Sequence, residues 1–323
     1  MQLKNKIAQA EALIRKHTLK TPVVFSPYLS QLNKGQVYLK LESEQHTGSF
    51  KARGALNKVL CLSKKEKDNG LVTASTGNHA LGFARAVSIS GDVGEIYLPK
   101  NAAPSKIEAL KEWGAKLHFY GTSCLETELH AKKIAKQENK VWVSPYNDVQ
   151  VMAGQGTIGV EISQQLPEVE AILACIGGGG MIGGIAGWYN TFNPSTQIIG
   201  CLPENAPEML LSIKQGKVVA LDQPMETLSD GSAGGLEENS ITFSICQELI
   251  KEFALVSENE IANAIQLIVN KHHKIIEGAA GVAVGAFINM AKQLQGKQVV
   301  IVICGCNIST EKLTTILSNE YTI

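Results

Sequence analysis

Three observations predict an α/β architecture built on parallel sheets with helices on both faces. Short apolar runs of strand length alternate with helical patterns along nearly all of the 323 residues. Glycine-rich or polar loops follow several of those runs, as they do where strands hand over to helices. The helical stretches carry their own start and stop residues.

In chain order, MQLKNKIAQAEALIRKHT reads as an amphipathic helix with Leu3, Ile7, Ala10, Leu13 and Ile14 on one face. Strands are expected at 37–41 (VYLKL), 71–74 (LVTA), 95–99 (EIYLP), 116–121 (KLHFYG), 141–144 (VWVS), 171–176 (AILACI), 197–202 (QIIGCL) and 299–304 (VVIVIC). Helices are expected at PSKIEALKEWG, with Pro104 in the first turn and Gly114 as the stop, and at CLETELHAKKIAKQ. Two more are SENEIANAIQLIVNKHH, with Ser257 and Glu260 as a capping box, and AAGVAVGAFINMAKQL. No repeat, low-complexity tract or polar linker marks a domain boundary; only 70–145 stands out as a compact strand–helix series.

Composition narrows the function. With 44% hydrophobic and 19% charged residues the chain suits a soluble globular protein, and a formal net charge of zero offers no basic stripe for nucleic acid. No apolar run is long enough to span a membrane, and the N-terminus has neither an uninterrupted apolar region nor a cleavage site, so no signal peptide is expected. Seven scattered cysteines without metal-ligand spacing suggest reduced thiols and a cytoplasmic protein.

Four features could carry chemistry. In CIGGGGMIGGIAG, Gly177 to Gly180 follow a buried run and precede a helix of small residues. Such a loop can aim successive backbone N–H groups at an anion, although a tight turn would also use glycine. It lacks the Lys-Ser/Thr of a Walker loop, and no acidic residue about twenty positions on supports a dinucleotide fingerprint. In ASTGNHALG, Ser75, Thr76, Asn78 and His79 read as helix caps or as a carboxylate clamp. ICGCNIS ends the last apolar run, placing Cys304 and Asn307 where sheet ligands bind, or Cys304 simply in the core. Lys51, in SFKARG, is either a surface charge or, if buried, an amine of lowered pKa able to act as a nucleophile. Together an amine for an aldehyde, a nest for a phosphate and a clamp for a carboxylate fit pyridoxal phosphate with an amino acid.

The motifs SFKARGA, STGNHA, PYND…AGQGT (145–157), GGGGMIGGIA and CGCN, in this order from about residue 18 to 310, resemble the fold type II pyridoxal-phosphate enzymes of the threonine/serine dehydratase and serine racemase group. The resemblance implies two domains, 1–69 with 148–323 as the large cofactor-binding one and 70–147 as a small mobile one, each with a twisted, mostly parallel sheet. It implies a homodimer and a pyridoxal-phosphate cofactor. By the same resemblance Lys51 matches the Schiff-base lysine and a catalytic group, Phe50 the residue against the ring, and Asn78 the partner of the phenolic oxygen. Gly177, Gly178, Gly179, Gly180 and Met181 match the phosphate cup. Ser75, Thr76, Asn78 and His79 match the substrate-binding loop, and Cys304 faces the pyridine nitrogen. A neutral residue there favours elimination over transamination.

The expected reaction is therefore loss of water from a β-hydroxy amino acid such as L-threonine or L-serine, giving a 2-oxo acid and ammonia. An amino-acid racemase is the alternative, since Thr76 keeps a hydroxyl where racemases of this group have serine. Leu202 and Glu208, in CLPENAPE, depart from the divalent-metal ligands of the racemase-like members, so no metal site is expected. Glu128 stands near the position of a racemase arginine, and SDGSAGGLEENSITF (229–243) is similar to hydroxyectoine-utilisation dehydratases. This implies a less common substrate, with a bulky or cationic side chain. Glu277 lies where the family has an acid near the cofactor, and is equally readable as a helix cap. No C-terminal regulatory domain, and so no end-product feedback of that kind, is expected.

Overall fold

The computed structural model describes residues 3–102, 104–221 and 225–318, with only the backbone of Ser105 and Cys124. It holds two sheets among these residues. The strands are β1 (Val23–Phe25), β2 (Gln36–Leu41), β3 (Leu71–Ala74), β4 (Gly94–Leu98), β5 (Lys116–Phe119), β6 (Val141–Trp142), β7 (Ala171–Cys175), β8 (Gln197–Pro203), β9 (Glu252–Val256) and β10 (Gln298–Ile303). The larger sheet runs β1-β2-β10-β7-β8-β9 and the smaller β5-β4-β3-β6. Every pairing is parallel except β1 with β2.

Each of the eight expected strands is present to within a residue or two at its ends. β1 and β9 were not foreseen. β1 is three residues long, and β9 begins at the charged Glu252, so neither gives a clean apolar run. The Ser257–Glu260 capping box forms as read, and Gly114 ends its helix at φ +71°. In the first helix Ile7, Ala10 and Ile14 are buried, whereas Leu13 is largely exposed.

The larger surprise is the helix Val149–Gln165, whose three glycines argue against a helix locally. Tertiary packing reverses that preference. A Cβ on Gly154 would stand 2.6 Å from the Gly54 Cα, and one on Gly156 3.0 Å from the Gly184 carbonyl oxygen. Backbone therefore crosses backbone, and this helix lies against both the Lys51–Cys61 and the Gly180–Phe192 helices. Those two begin at the lysine and at the glycine loop, so one buried helix sets their separation.

A second device locks the same region. Arg53 is fully buried and donates to Glu42 (Nε–Oε2 2.7 Å) and Glu161 (Nη1–Oε1 2.7 Å), while Lys40 meets Glu161 at 2.5 Å. Thr21, Thr157 and Gln165 complete the cluster. It ties β2, the lysine-bearing helix and the Val149–Gln165 helix together.

Candidate active site

Parallel strands point their carboxyl ends the same way, and the loops beyond those ends meet in one cleft. The glycine loop follows β7, and Cys304 follows the neighbouring β10. The STGN loop follows β3 in the smaller sheet.

Lys51 opens its helix, with Phe50 before it; the Phe50 N–H donates to the Cys304 carbonyl at 3.0 Å. This contact brings the lysine to the end of β10. Lys51 Nζ donates to the Pro145 carbonyl at 2.7 Å and lies 5.2 Å from the centroid of the Phe50 ring. Burial draws its pKa from 10.5 down to about 8, with the Glu277 carboxylate opposing the fall. A tenth or so of the amine is thus neutral at pH 7, where an ordinary lysine would have almost none.

Gly177 to Gly180 bridge β7 and the Gly180–Phe192 helix, with Gly179 at φ +82°. A Cβ on Gly177 would stand 2.7 Å from the Ser232 carbonyl oxygen, and one on Gly178 2.3 Å from the Tyr146 ring. Only bare backbone fits. The first N–H groups of the following helix, Gly180 and Met181 among them, have no intrahelical acceptor and add the positive end of the helix dipole. Lys51 and this nest are linked through Pro145–Tyr146, since one residue holds the amine and the next packs on Gly178.

The STGN loop differs from the capping reading. Gly77 occupies the cap position with no side-chain bond, and Ser75 Oγ accepts only from the Gly77 N–H. Thr76 lies in the loop between β3 and the helix, and Asn78 and His79 are the first helical residues. His79 Nε2 meets the Val143 carbonyl at 3.1 Å. A carbonyl can only accept, so that nitrogen carries the proton. Burial, then Lys51, pulls the His79 pKa down to about 3 and the ring stays neutral. Its side chain serves the fold, leaving its backbone N–H for a ligand.

Asn78 donates from Nδ2 to both oxygens of Glu277 at 2.9 Å, and its Oδ1 accepts from Asn307 Nδ2 at 2.6 Å. Glu277 precedes the Gly278–Met290 helix but makes no side-chain cap, so the cap reading of this residue fails. Cys304 is buried with Sγ 3.8 Å from Glu277 Oε1, and burial raises its thiol pKa well above the usual value.

Several site neighbours were not singled out from sequence. Tyr146 accepts the Glu237 N–H at 2.8 Å, Asn147 Nδ2 donates to Glu237 Oε2 at 3.0 Å, and Lys132 lies 3.3 Å from Glu237 Oε1. Lys132 belongs to the helix Cys124–Gln137 over the smaller sheet, so this clasp spans the two sheets' units. The motif PYND held the signal, but its partner Glu237 lies ninety residues away. Glu128 is paired with Lys132 at 2.6 Å. Lys132 is shared between Glu128 and Glu237, so a cationic substrate side chain would compete with it for Glu128. Leu202 packs in the core of the larger sheet, and among the described residues no group of three His, Cys, Asp or Glu could hold a metal.

An amine that sheds its proton, a side-chain-free anion nest and a fixed amide in one cleft fit an aldehyde that carries a phosphate. Comparison with known proteins points the same way. The pyridoxal-phosphate dependent enzyme family matches residues 14–305. L-threonine ammonia-lyase of Thermotoga maritima is 38% identical over 312 residues, covering 97% of this chain and 77% of that protein. The catabolic L-threonine dehydratase TdcB of Staphylococcus aureus is 38% identical over 321 residues, 98% and 92% of the two chains. Among solved structures, the processed form of threonine deaminase isoform 2 from Solanum lycopersicum superposes with a TM-score of 0.92 at 32% identity, covering 98% of this chain and 87% of that one. Maize serine racemase gives 0.91 at 27% identity, with 98% and 97% covered.

Proposed function

The chain belongs to the pyridoxal-phosphate dependent enzymes, and from that premise we propose an ammonia-lyase that eliminates water from a β-hydroxy amino acid such as L-threonine or L-serine. The products are a 2-oxo acid and ammonia. The observation that carries this reading is Lys51, an amine whose pKa burial lowers to about 8, linked through Pro145 and Tyr146 to a bare glycine nest.

The cofactor supplies an aldehyde for an amine and a conjugated ring that accepts the electron pair left at the α-carbon. The residues do the rest. Lys51 Nζ takes the α-proton as the C–H bond breaks; the β C–O bond then breaks and the hydroxyl leaves as water. Water is taken up again when the amino group departs as ammonia, so the net change is substrate to 2-oxo acid plus ammonia. Backbone N–H groups of Gly177 to Gly180 and Met181 would hold the phosphate, and Phe50 would flank the ring. Asn78 would offer an N–H to the phenolic oxygen. Ser75, Thr76, Asn78 and His79 would receive the substrate carboxylate, chiefly through main-chain donors. Cys304, whose thiol burial keeps neutral, would face the ring nitrogen, and a neutral group there would favour elimination.

The unit carrying β3 to β6 serves as the small mobile domain, with Lys132–Glu237 as its closing contact. The free thiols among the described residues are in keeping with a cytoplasmic setting, and a homodimer is the working assembly.

The protein stripped of cofactor should take up pyridoxal phosphate faster as pH rises, with half-maximal rate near pH 8, because only the neutral Lys51 amine attacks. Stopped-flow absorbance reads this; a rate flat from pH 6 to 10 would contradict it. The function itself is tested with a panel of β-hydroxy amino acids scored for ammonia, 2-oxo acid and the chirality of residual serine. Equal molar ammonia and 2-oxo acid from L-threonine or L-serine is the expected result. Conversion of L- to D-serine without ammonia would make the protein a racemase instead.

A further inference from the structure

Glu277 is an unusual group to bury in a cleft. It is 5% exposed, and its carboxylate oxygens accept from neighbouring side-chain and main-chain donors. Asn78 Nδ2 lies 2.9 Å from both carboxylate oxygens, the Asn307 N–H donates to Oε2 at 3.2 Å, and the Cys304 thiol lies 3.8 Å from Oε1. Gly305 makes room for it, since a Cβ there would stand 2.6 Å from Oε1. Burial, aided by the Asp230 charge, pushes the carboxyl up to about 7, while Asn78, Asn307 and Cys304 pull it back.

An asparagine amide can present either edge, and the choice is set by its neighbours. At Asn78 both neighbours agree. In its ionised form Glu277 can only accept, so the NH2 faces it, and with the carboxyl raised to about 7 that form gains as pH rises through 7. Asn307 Nδ2 can only donate, so the oxygen must face Asn307. The bond to Glu277 engages one side of the NH2, which leaves the second N–H as the group Asn78 can offer to a ligand.

We propose that Glu277 is a positioning residue whose carboxylate orients the Asn78 amide, so that an N–H and not the oxygen meets the phenolic oxygen of pyridoxal phosphate. This rests on the cofactor assignment above. Glutamine at 277 could donate as well as accept, and would let the Asn78 amide turn its oxygen toward an oxygen. An amide oxygen there repels where the N–H attracted.

The test is a double-mutant cycle on cofactor affinity, read by quenching of tryptophan fluorescence when pyridoxal phosphate is added to cofactor-free protein. Glu277→Gln should weaken binding about tenfold or more, as for a hydrogen bond to a charged group. In an Asn78→Ala background the same change should cost less than about twofold, because the residue it orients is gone. It should also move the pH midpoint of the visible cofactor band in the otherwise native protein, and not in the Asn78→Ala background. Equal losses in both backgrounds would overturn the proposal, as would no loss in either. If Glu277→Gln does not fold, the exposed Asn307→Ala removes the donor on Asn78 Oδ1. It should weaken binding about threefold, again only where Asn78 is present; equal loss in the Asn78→Ala background would be fatal. Failure of the unaltered protein to bind pyridoxal phosphate sinks the cofactor assignment and this inference with it. Tight binding with an additive cycle sinks this inference alone.

Discussion

Lys51→Ala is expected to lose the visible band of bound pyridoxal phosphate and to lower ammonia release by at least about 10³-fold. Two capacities vanish together: the amine that joins the aldehyde, and the base that removes the α-proton. The fold should survive. Lys51 makes one hydrogen bond, to the Pro145 carbonyl, and its ammonium is disfavoured by burial, so removing it relieves a desolvation cost. With both proteins free of cofactor, the thermal midpoint of the variant should therefore be unchanged or higher. Borohydride treatment followed by peptide mapping should place the pyridoxyl group on residue 51 in the native protein and nowhere in the variant. A variant that keeps both the band and full turnover would remove the basis of the proposed chemistry.

Arg53→Met is expected to be strongly destabilising. Lys51 and Arg53 are two residues apart, about 200° around the helix, so one faces the cleft and the other the interior. Arg53 is shared by Glu42 and Glu161; methionine leaves Glu161 to Lys40 and the half-buried Arg15, and leaves Glu42 with the Thr21 hydroxyl and no ion pair among the described residues. Breaking a buried pair from one side costs about 3–5 kcal/mol, which calorimetry should read as a fall in melting temperature on the order of 10 °C. Burial alone would raise the Glu161 carboxyl, but Arg53 and Lys40 outweigh it and hold it at about 2. A depressed carboxyl contributes stability above its unfolded value of 4.5, and that contribution is lost as pH falls from there toward 2. In Arg53→Met this acid-labile part should shrink, flattening the stability curve between those values. An unchanged melting temperature and acid profile would show the cluster to be inert.

Much of this was legible in the residues. Strands of the sheets announced themselves as apolar runs, and the chemistry announced itself because it needs rare combinations. Four glycines in a row cost chain entropy that a turn alone does not demand. A lysine between Phe50 and small residues is poorly placed for solvent. The helix Val149–Gln165 ran the other way. Its glycines weaken a helix when counted locally and make one possible only where Gly54 and Gly184 approach. Likewise the sequence left a capping role open for Glu277, which the structure removes by turning its carboxylate to Asn78 instead of to the helix N–H groups.

By itself, then, the chain order of residues determined the alternation of strands and helices, the amine, the anion nest and the class of chemistry. Each of these is written in spans short enough for local periodicity, chain entropy or side-chain type to reveal. Tertiary structure alone decided that Pro145 holds the Lys51 amine, that Glu237 clasps Tyr146, Asn147 and Lys132, and that Asn78 lies between Glu277 and Asn307. Those are contacts between residues about ninety to two hundred and thirty positions apart. Burial, which shifts a pKa or fixes an amide, exists only once the chain has closed around them.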